Sequence, residues 1–185
     1  MTTIEHLEAT QLAAGLDHIR AAPKNSGVLE MVLRRPAVDE REVLDVADLT
    51  LDEGIAGDNW NQRGSRRTDD GSPHPDMQLN LMNARVTQLV AQRRDRWQLA
   101  GDQLYVDLDL SADNLPAGTQ LRIGTAIIEV TDQPHNGCAK FTQRFGLDAH
   151  RFVNAAETRH LNLRGINARV VQPGQVKPGD AITKI

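Results

Sequence analysis

The chain has 185 residues, a formal net charge of −4 and an isoelectric point near 5.8, which argues against a protein that tracks a nucleic-acid backbone, since such binders carry a basic excess. Its length suits one domain with a full core, and its single cysteine excludes an intrachain disulfide and any multi-cysteine zinc or iron–sulfur cage. No run approaches the roughly 18 apolar residues of a membrane span, and the start, with Glu5 and Glu8 and no basic segment, does not read as a secretory signal; a soluble, cytoplasmic protein is expected.

Taken in chain order, Thr3 to about Ala22 places Ile4, Leu7, Leu12, Leu16 and Ile19 at mostly helical spacing, with Gly15 as the weak point and Pro23 beyond the end. This predicts a helical extension over 1–24 that packs on the body or on a partner subunit. Pro23 to Gly27 is turn-forming and separates it from a domain over 25–185. From Gly27, VLEMVLRRP reads as a strand that stops at Pro36. Val38 to Leu49 is compatible with a short helix or an irregular strand. Gly54 and Gly57 then permit tight backbone turns, and Asp58 follows at once.

Residues 59–76 are polar and turn-rich, so a loop is predicted. Its Arg63, Arg66 and Arg67 suit bidentate bonds to an anionic ligand, although a solvated surface loop has the same composition. His74 reads first as a loop histidine. Gln78 to Met82 predicts a short strand, and Asn83 caps a helix whose buried stripe is Val86, Leu89 and Val90, with Arg93, Arg94 and Arg96 toward its C-terminal end. Tyr105 to Leu110 alternates as a half-buried strand does, with Val106, Leu108 and Leu110 inward and Tyr105, Asp107 and Asp109 outward. It leads into Ser111-Ala112-Asp113-Asn114-Leu115.

Leu121 to Val130 forms two apolar runs around Gly124-Thr125, which predicts a β-hairpin. Asp132-Gln133-Pro134 stops its second strand, and Pro134 to Gly137 reads as an irregular loop ending at Cys138. Beyond it, Phe141 and Phe145 beside Lys140 and Arg144 give a short amphipathic helix, whose first amides and cations favour a thiolate. A lone cysteine is also commonly a small, inert, buried hydrophobe. Asp148 to Val153 looks helical. Arg164-Gly165 precedes a strand through Val171, and Pro173-Gly174 and Pro178-Gly179-Asp180 turn the chain before its last strand. Many short strands between glycine and proline turns argue for a mainly β, barrel-like domain with a few peripheral helices.

The hairpin of form L-x-I-G-x-A-x-x-E-V-T, followed by Gly137-Cys138-x-Lys140 and later by Arg164-Gly165 and Gly179-Asp180, resembles the MOSC domain, the module at the C-terminus of molybdenum cofactor sulfurases. A Gly-Asp pair matching Gly57-Asp58 and a Gly-Glu-Asn-Leu segment matching Asp113-Asn114-Leu115 stand at the same places in the family's order of motifs. The resemblance covers roughly Gly27 to the C-terminus and implies a MOSC-type β-barrel. It implies Cys138 as a molybdenum- or sulfur-binding thiol, with Asp58, Asn114, Lys140 and Arg164 as candidate contacts to the pterin cofactor; Arg67, from the arginine-rich loop, is a further candidate for the pterin phosphate. Gly137 stands where N-hydroxyl-reducing members often have proline, which leaves the substrate open.

Two functions follow from the resemblance. One is a molybdenum-cofactor protein that reduces N-hydroxylated compounds with electrons from a separate redox partner. The other is a sulfur carrier, in which Cys138 accepts sulfur from a pyridoxal-phosphate-dependent desulfurase and delivers it to a metal–sulfur centre without turnover of its own. Pyridoxal phosphate belongs to the partner in that case. Zinc at His135 and Cys138 with His74 or His160 is a thinner alternative, because structural zinc prefers paired cysteines.

Overall fold

The computed structural model describes residues 5–185. Thr3 and Ile4, where the predicted N-terminal helix begins, lie outside the described residues. The remainder of that helix is two short ones, α1 (Ala9–Ala14) and α2 (Leu16–Arg20), divided at Gly15, where the sequence is weakest. Leu12 and Ile19 are their buried residues.

The body is built from β1 (Ser26–Arg34), β2 (Glu42–Leu44), β3 (Ala47–Thr50), β4 (Gly54–Ile55), β5 (Leu79–Asn83), α3 (Ala84–Ala91), β6 (Leu104–Asp107), β7 (Gln120–Ile123), β8 (Ala126–Val130), α4 (Ala139–Phe145), α5 (Leu147–Asn154), β9 (Ile166–Gln172), β10 (Gly174–Val176) and β11 (Ala181–Lys184). Seven strands form a closed ring in the order β1, β11, β7, β8, β9, β5, β6 and back to β1; β2 extends it along the second half of β1. All ring pairings are antiparallel except that of β5 with β6. A small sheet of β10, β3 and β4 packs beside the ring. The Val38 to Leu49 segment is therefore extended, because β2 pairs with β1 and β3 with both β4 and β10.

The predicted hairpin is β7 and β8, with Ile123 opposite Ala126 and a two-residue turn at Gly124-Thr125. Gly124 has φ +54, and a Cβ there would lie 2.3 Å from the Gln175 carbonyl oxygen, so only glycine fits the turn. Alternation along β7 and β8 sends Leu121, Ile123, Ala126, Ile128 and Val130 into the barrel, where they join Leu29, Val32, Leu79, Leu81, Leu104 and Val106 in one core.

A second core lies between the outer face of the barrel and the helices, and unites Met31, Leu33, Met82 and Tyr105 with Leu12, Val86, Trp97, Phe141 and Phe145. This layer corrects the reading of β6. Tyr105 is fully buried rather than solvent-facing, because the turns of 3-10 helix over Arg94–Ala100 cover it and its hydroxyl donates to the Trp97 carbonyl at 2.9 Å. Alternation still holds along the strand, but both of its faces are covered. Asn83 caps α3 as expected, accepting from Arg85 and Val86 amides. That helix stops at Gln92, which is left-handed, so Arg94 and Arg96 sit on the following 3-10 stretch. Among the described residues no helix is long and apolar enough to cross a membrane.

Candidate functional site

A cavity of about 320 Å³ opens where the helical layer meets the end of β1, and Cys138 lines it. The thiol is free and exposed. Cys138 is the N-terminal cap of α4, its carbonyl accepting from the amides of Phe141 and Thr142. The preceding loop is anchored to α5: the Gly137 amide donates to Asn154 Oδ1 at 2.9 Å, and the Gly137 carbonyl lies 3.1 Å from His150 Nε2. Burial of Phe141 and Phe145 fixes the other face of α4, so Lys140 and Arg144 project toward the cavity with the cysteine.

Six cations line this space: Arg35, Arg41, Arg63, Lys140, Arg144 and Arg164. The lining carboxylates, Asp39 and Glu40, both belong to the loop between β1 and β2. An acidic chain thus concentrates positive charge at one concave site, the arrangement that focuses a field on an anion. Burial first, and Arg144 beside it second, push Arg41 below the ordinary guanidinium range. Three enclosed polar atoms have no partner among the described residues, Arg41 Nε, Asn59 Oδ1 and Arg164 Nε, and all three residues line this cavity. Unmet donors and acceptors are rare in folded chains, and their convergence on one cavity marks a place for a polar ligand.

Beneath the cavity lies a buried ion-pair network. Asp102 is fully buried and receives Arg164 Nη1 at 2.7 and 2.9 Å and His135 Nε2 at 2.7 Å. Burial raises the Asp102 pKa, but Arg164 and His135 outweigh it and hold the carboxyl below its ordinary range. Burial and then Arg164 push His135 down. A carboxylate partner requires the proton on Nε2, so neutral His135 keeps Nδ1 as its acceptor nitrogen. Arg164 also donates to the Ala100 carbonyl and lies 5.1 Å from the Phe141 ring. Gly165, with φ +113, lets the Arg164 backbone abut β5: a Cβ there would lie 2.1 Å from the Leu81 carbonyl oxygen.

Asp58 is also buried, and its role is to hold a cation. It accepts from the Arg35 amide, Nε and Nη2 and from the Trp60 amide, all between 2.8 and 3.0 Å. Arg35 then reaches Asn80 Oδ1 and the Gly101 carbonyl with Nη1. Lys140 Nζ meets Asp39 Oδ1 at 2.6 Å, and Arg144 Nη2 meets the same oxygen at 3.3 Å.

The sequence-derived candidates therefore divide. Cys138, Lys140 and Arg164 share the cavity, and Asp58 supports it from below through Arg35. Arg67 ties the loop to the segment after β8, donating to Gln133 Oε1 at 3.3 Å, and does not line the cavity; Arg63 of the same loop does. Asn114 lies elsewhere. Its amide donates to the Lys24 and Asp109 carbonyls and accepts from Lys184, beside a second cavity that also contains His160. It joins the N-terminal segment, the end of β6 and β11 rather than meeting Cys138. Arg144, expected beside the thiol, does line the cavity, whereas Arg35, Arg41, Asp102 and His135 are residues of this region that motif reading missed or assigned otherwise; Arg35 carried a signal in the Arg34-Arg35-Pro36 strand end. His74 lines this cavity with His135 and Cys138, while His160 lines the second one, yet no group of three His, Cys, Asp or Glu able to hold a metal ion exists among the described residues, so the zinc alternative has no support.

The fold has relatives of known structure. The YuaD protein from Bacillus subtilis superposes with a TM-score of 0.63 at 17% identity, over 85% of this chain and 94% of that one. YiiM from Escherichia coli superposes with a TM-score of 0.54 at 20% identity, over 85% and 69% of the two chains. At these identities the likeness concerns the fold. No curated protein matches the sequence significantly. The sequence model of the MOSC domain matches residues 69–183, more than half of the chain and the stretch that carries β5 through β11, Asp102, Cys138 and Arg164. The chain belongs to the MOSC domain family.

Proposed function

We propose that the chain binds the molybdenum cofactor in the cationic cavity, with the Cys138 thiolate as the protein's ligand to the metal. The observation that carries this reading is the convergence of an exposed cysteine, six cations and three unpartnered enclosed polar atoms on one cavity. These residues fit the group. A thiolate is a soft donor suited to a soft metal centre, guanidinium forks suit a phosphate, and an unpartnered amide oxygen at Asn59 suits a pterin N–H. Arg41, Arg63, Arg144, Lys140 and Arg164 are the residues that would hold the anionic end. When bound, the group supplies a centre for two-electron chemistry. Electrons come from a separate redox protein, and N-hydroxylated compounds are the substrate class.

The test is molybdenum content by elemental mass spectrometry, on wild type and Cys138→Ser produced in a host that makes the cofactor. Near-stoichiometric metal that is lost in the variant supports the reading; no metal in either protein removes it.

The exposure of Cys138 also favours the second reading, a sulfur carrier, because a thiol open to solvent is open to a desulfurase. Incubation with a pyridoxal-phosphate-dependent cysteine desulfurase and cysteine then yields a persulfide, seen as the mass of one added sulfur atom on the peptide containing Cys138. An unchanged mass counts against the carrier.

A further inference from the structure

The carboxylates lining the cavity come from one short loop, residues 35–41, and one of them already sits where an anion would. Asp39 Oδ1 bonds Lys140 Nζ and Arg144 Nη2 across more than a hundred residues of sequence. These are two of the six cations, and they stand on α4 directly after the cysteine. We propose that the β1–β2 loop is a self-inhibitory strap, in which the Asp39 carboxylate occupies an anion subsite on Lys140 and Arg144 and is displaced when an anionic ligand enters the cavity. The proposal concerns regulation of the site described above and rests on that cavity being an anion site.

Three features support a strap rather than a fixed wall. The loop is weakly held, since residues 36–40 are exposed and the one backbone bond within them runs from the Glu40 amide to the Ala37 carbonyl. Its turn is local: Asp39 has φ +65, a left-handed conformation that aspartate adopts more readily than most residues, so one residue's turn rather than strand pairing presents the carboxylate. Arg41 Nη1 donates to the Asp39 carbonyl at 3.0 Å while its own Nε is left without a partner, so the same loop carries a cation whose bonding is incomplete until a further acceptor arrives. Displacement of the loop removes Asp39 and Glu40 from the rim together, and the field on the ligand rises as the ligand takes their place.

The charge balance selects the ligand class. Displacing a tethered carboxylate of one negative charge from Lys140 and Arg144 favours a ligand that carries more than one, so a phosphate monoester is favoured over a neutral or singly charged compound. Asp39→Asn is a conservative probe, because asparagine tolerates the left-handed backbone and the side chain is exposed.

The experiment is titration of wild type and Asp39→Asn with inorganic phosphate at low ionic strength by calorimetry, together with hydrogen exchange of residues 36–41. Asp39→Asn is expected to bind phosphate about fivefold more tightly, with little such gain when Lys140→Met is also present. In wild type, saturating phosphate is expected to speed exchange of the Glu40 amide, the one in this loop with a backbone bond to lose. Equal phosphate affinity in wild type and Asp39→Asn, or exchange of the Glu40 amide that is unchanged or slowed by phosphate, overturns the strap and leaves the anion cavity intact. Phosphate binding by neither protein overturns both the cavity reading and the strap.

Discussion

Asp102 and Arg164 meet 2.7 Å apart with side-chain exposures of 0% and 7%, so the floor of the cavity is an ion pair withdrawn from water. Arg164 lines the cavity, its Nη nitrogens are committed to Asp102 and Ala100, and its Nε is enclosed without a partner. Arg164 is thus both a scaffold residue and a lining residue, and the two roles are separable by experiment.

Arg164→Met leaves Asp102 charged and buried with His135 alone. Loss of one partner from a buried pair costs about 3–5 kcal/mol, and urea denaturation measures it. A loss under about 1 kcal/mol would show that water reaches Asp102 after the change. The double variant Arg164→Met, Asp102→Asn recovers much of the loss, because no uncompensated charge remains.

Acid stability falls in two steps. His135 has a folded pKa below its ordinary 6.5, so its protonation disfavours the native state; the stability linked to it is complete above about pH 6.5 and declines as pH falls toward the folded value. Asp102 has a folded pKa below the ordinary carboxylate value, so its contribution is present above about pH 4 and is lost as pH falls through the lower folded value. Unfolding free energy measured across this range in wild type shows both declines. In His135→Gln the upper one is reduced; an unchanged upper decline assigns it to other groups.

Native protein reacts with iodoacetamide at its one thiol, because Cys138 is exposed at the mouth of the cavity. Mass spectrometry is expected to show one added label without denaturant and none in Cys138→Ser. A native protein that resists labelling contradicts the exposed geometry and restores the inert-cysteine reading.

Asp58→Ala removes the acceptor of three Arg35 bonds and one Trp60 bond. The expected loss is about 3 kcal/mol, with faster hydrogen exchange over residues 59–65, which lose their tether to the end of β1. Asp58→Asn retains some acceptor capacity and loses less. Equal stability of wild type and Asp58→Ala would mean that Arg35 finds another acceptor.

Local patterns made most of the barrel legible. The β7–β8 hairpin follows from two alternating runs around Gly124, the β5 to α3 junction from Asn83, and the end of β1 from Pro36. These signals act over a few residues, where backbone sterics and hydrogen bonding decide. Tyr105 defeated the same logic because what covers its face, Trp97 and its neighbours, arrives through the packing of another element. The site was legible where a motif was contiguous, as with Cys138 and Lys140 on one helix end. Asp102 carried no such signal, since its partners Arg164 and His135 lie 62 and 33 residues away. Asn114 shows the converse: a motif match located a residue whose amide serves strand ends rather than the cavity.

The ring is closed by β1 and β11, with Ser26 opposite Thr183 and Val28 opposite Ala181. A ribosome delivers the two halves of this seam far apart in time, on the order of ten seconds at ordinary elongation rates. Throughout that interval the first half of β1 offers an unpaired edge to any other extended chain. Maturation of this barrel thus has a vulnerable window set by the order of its strands along the chain, and a chaperone that shields a naked β-edge is of most use to the nascent chain just before β11 emerges.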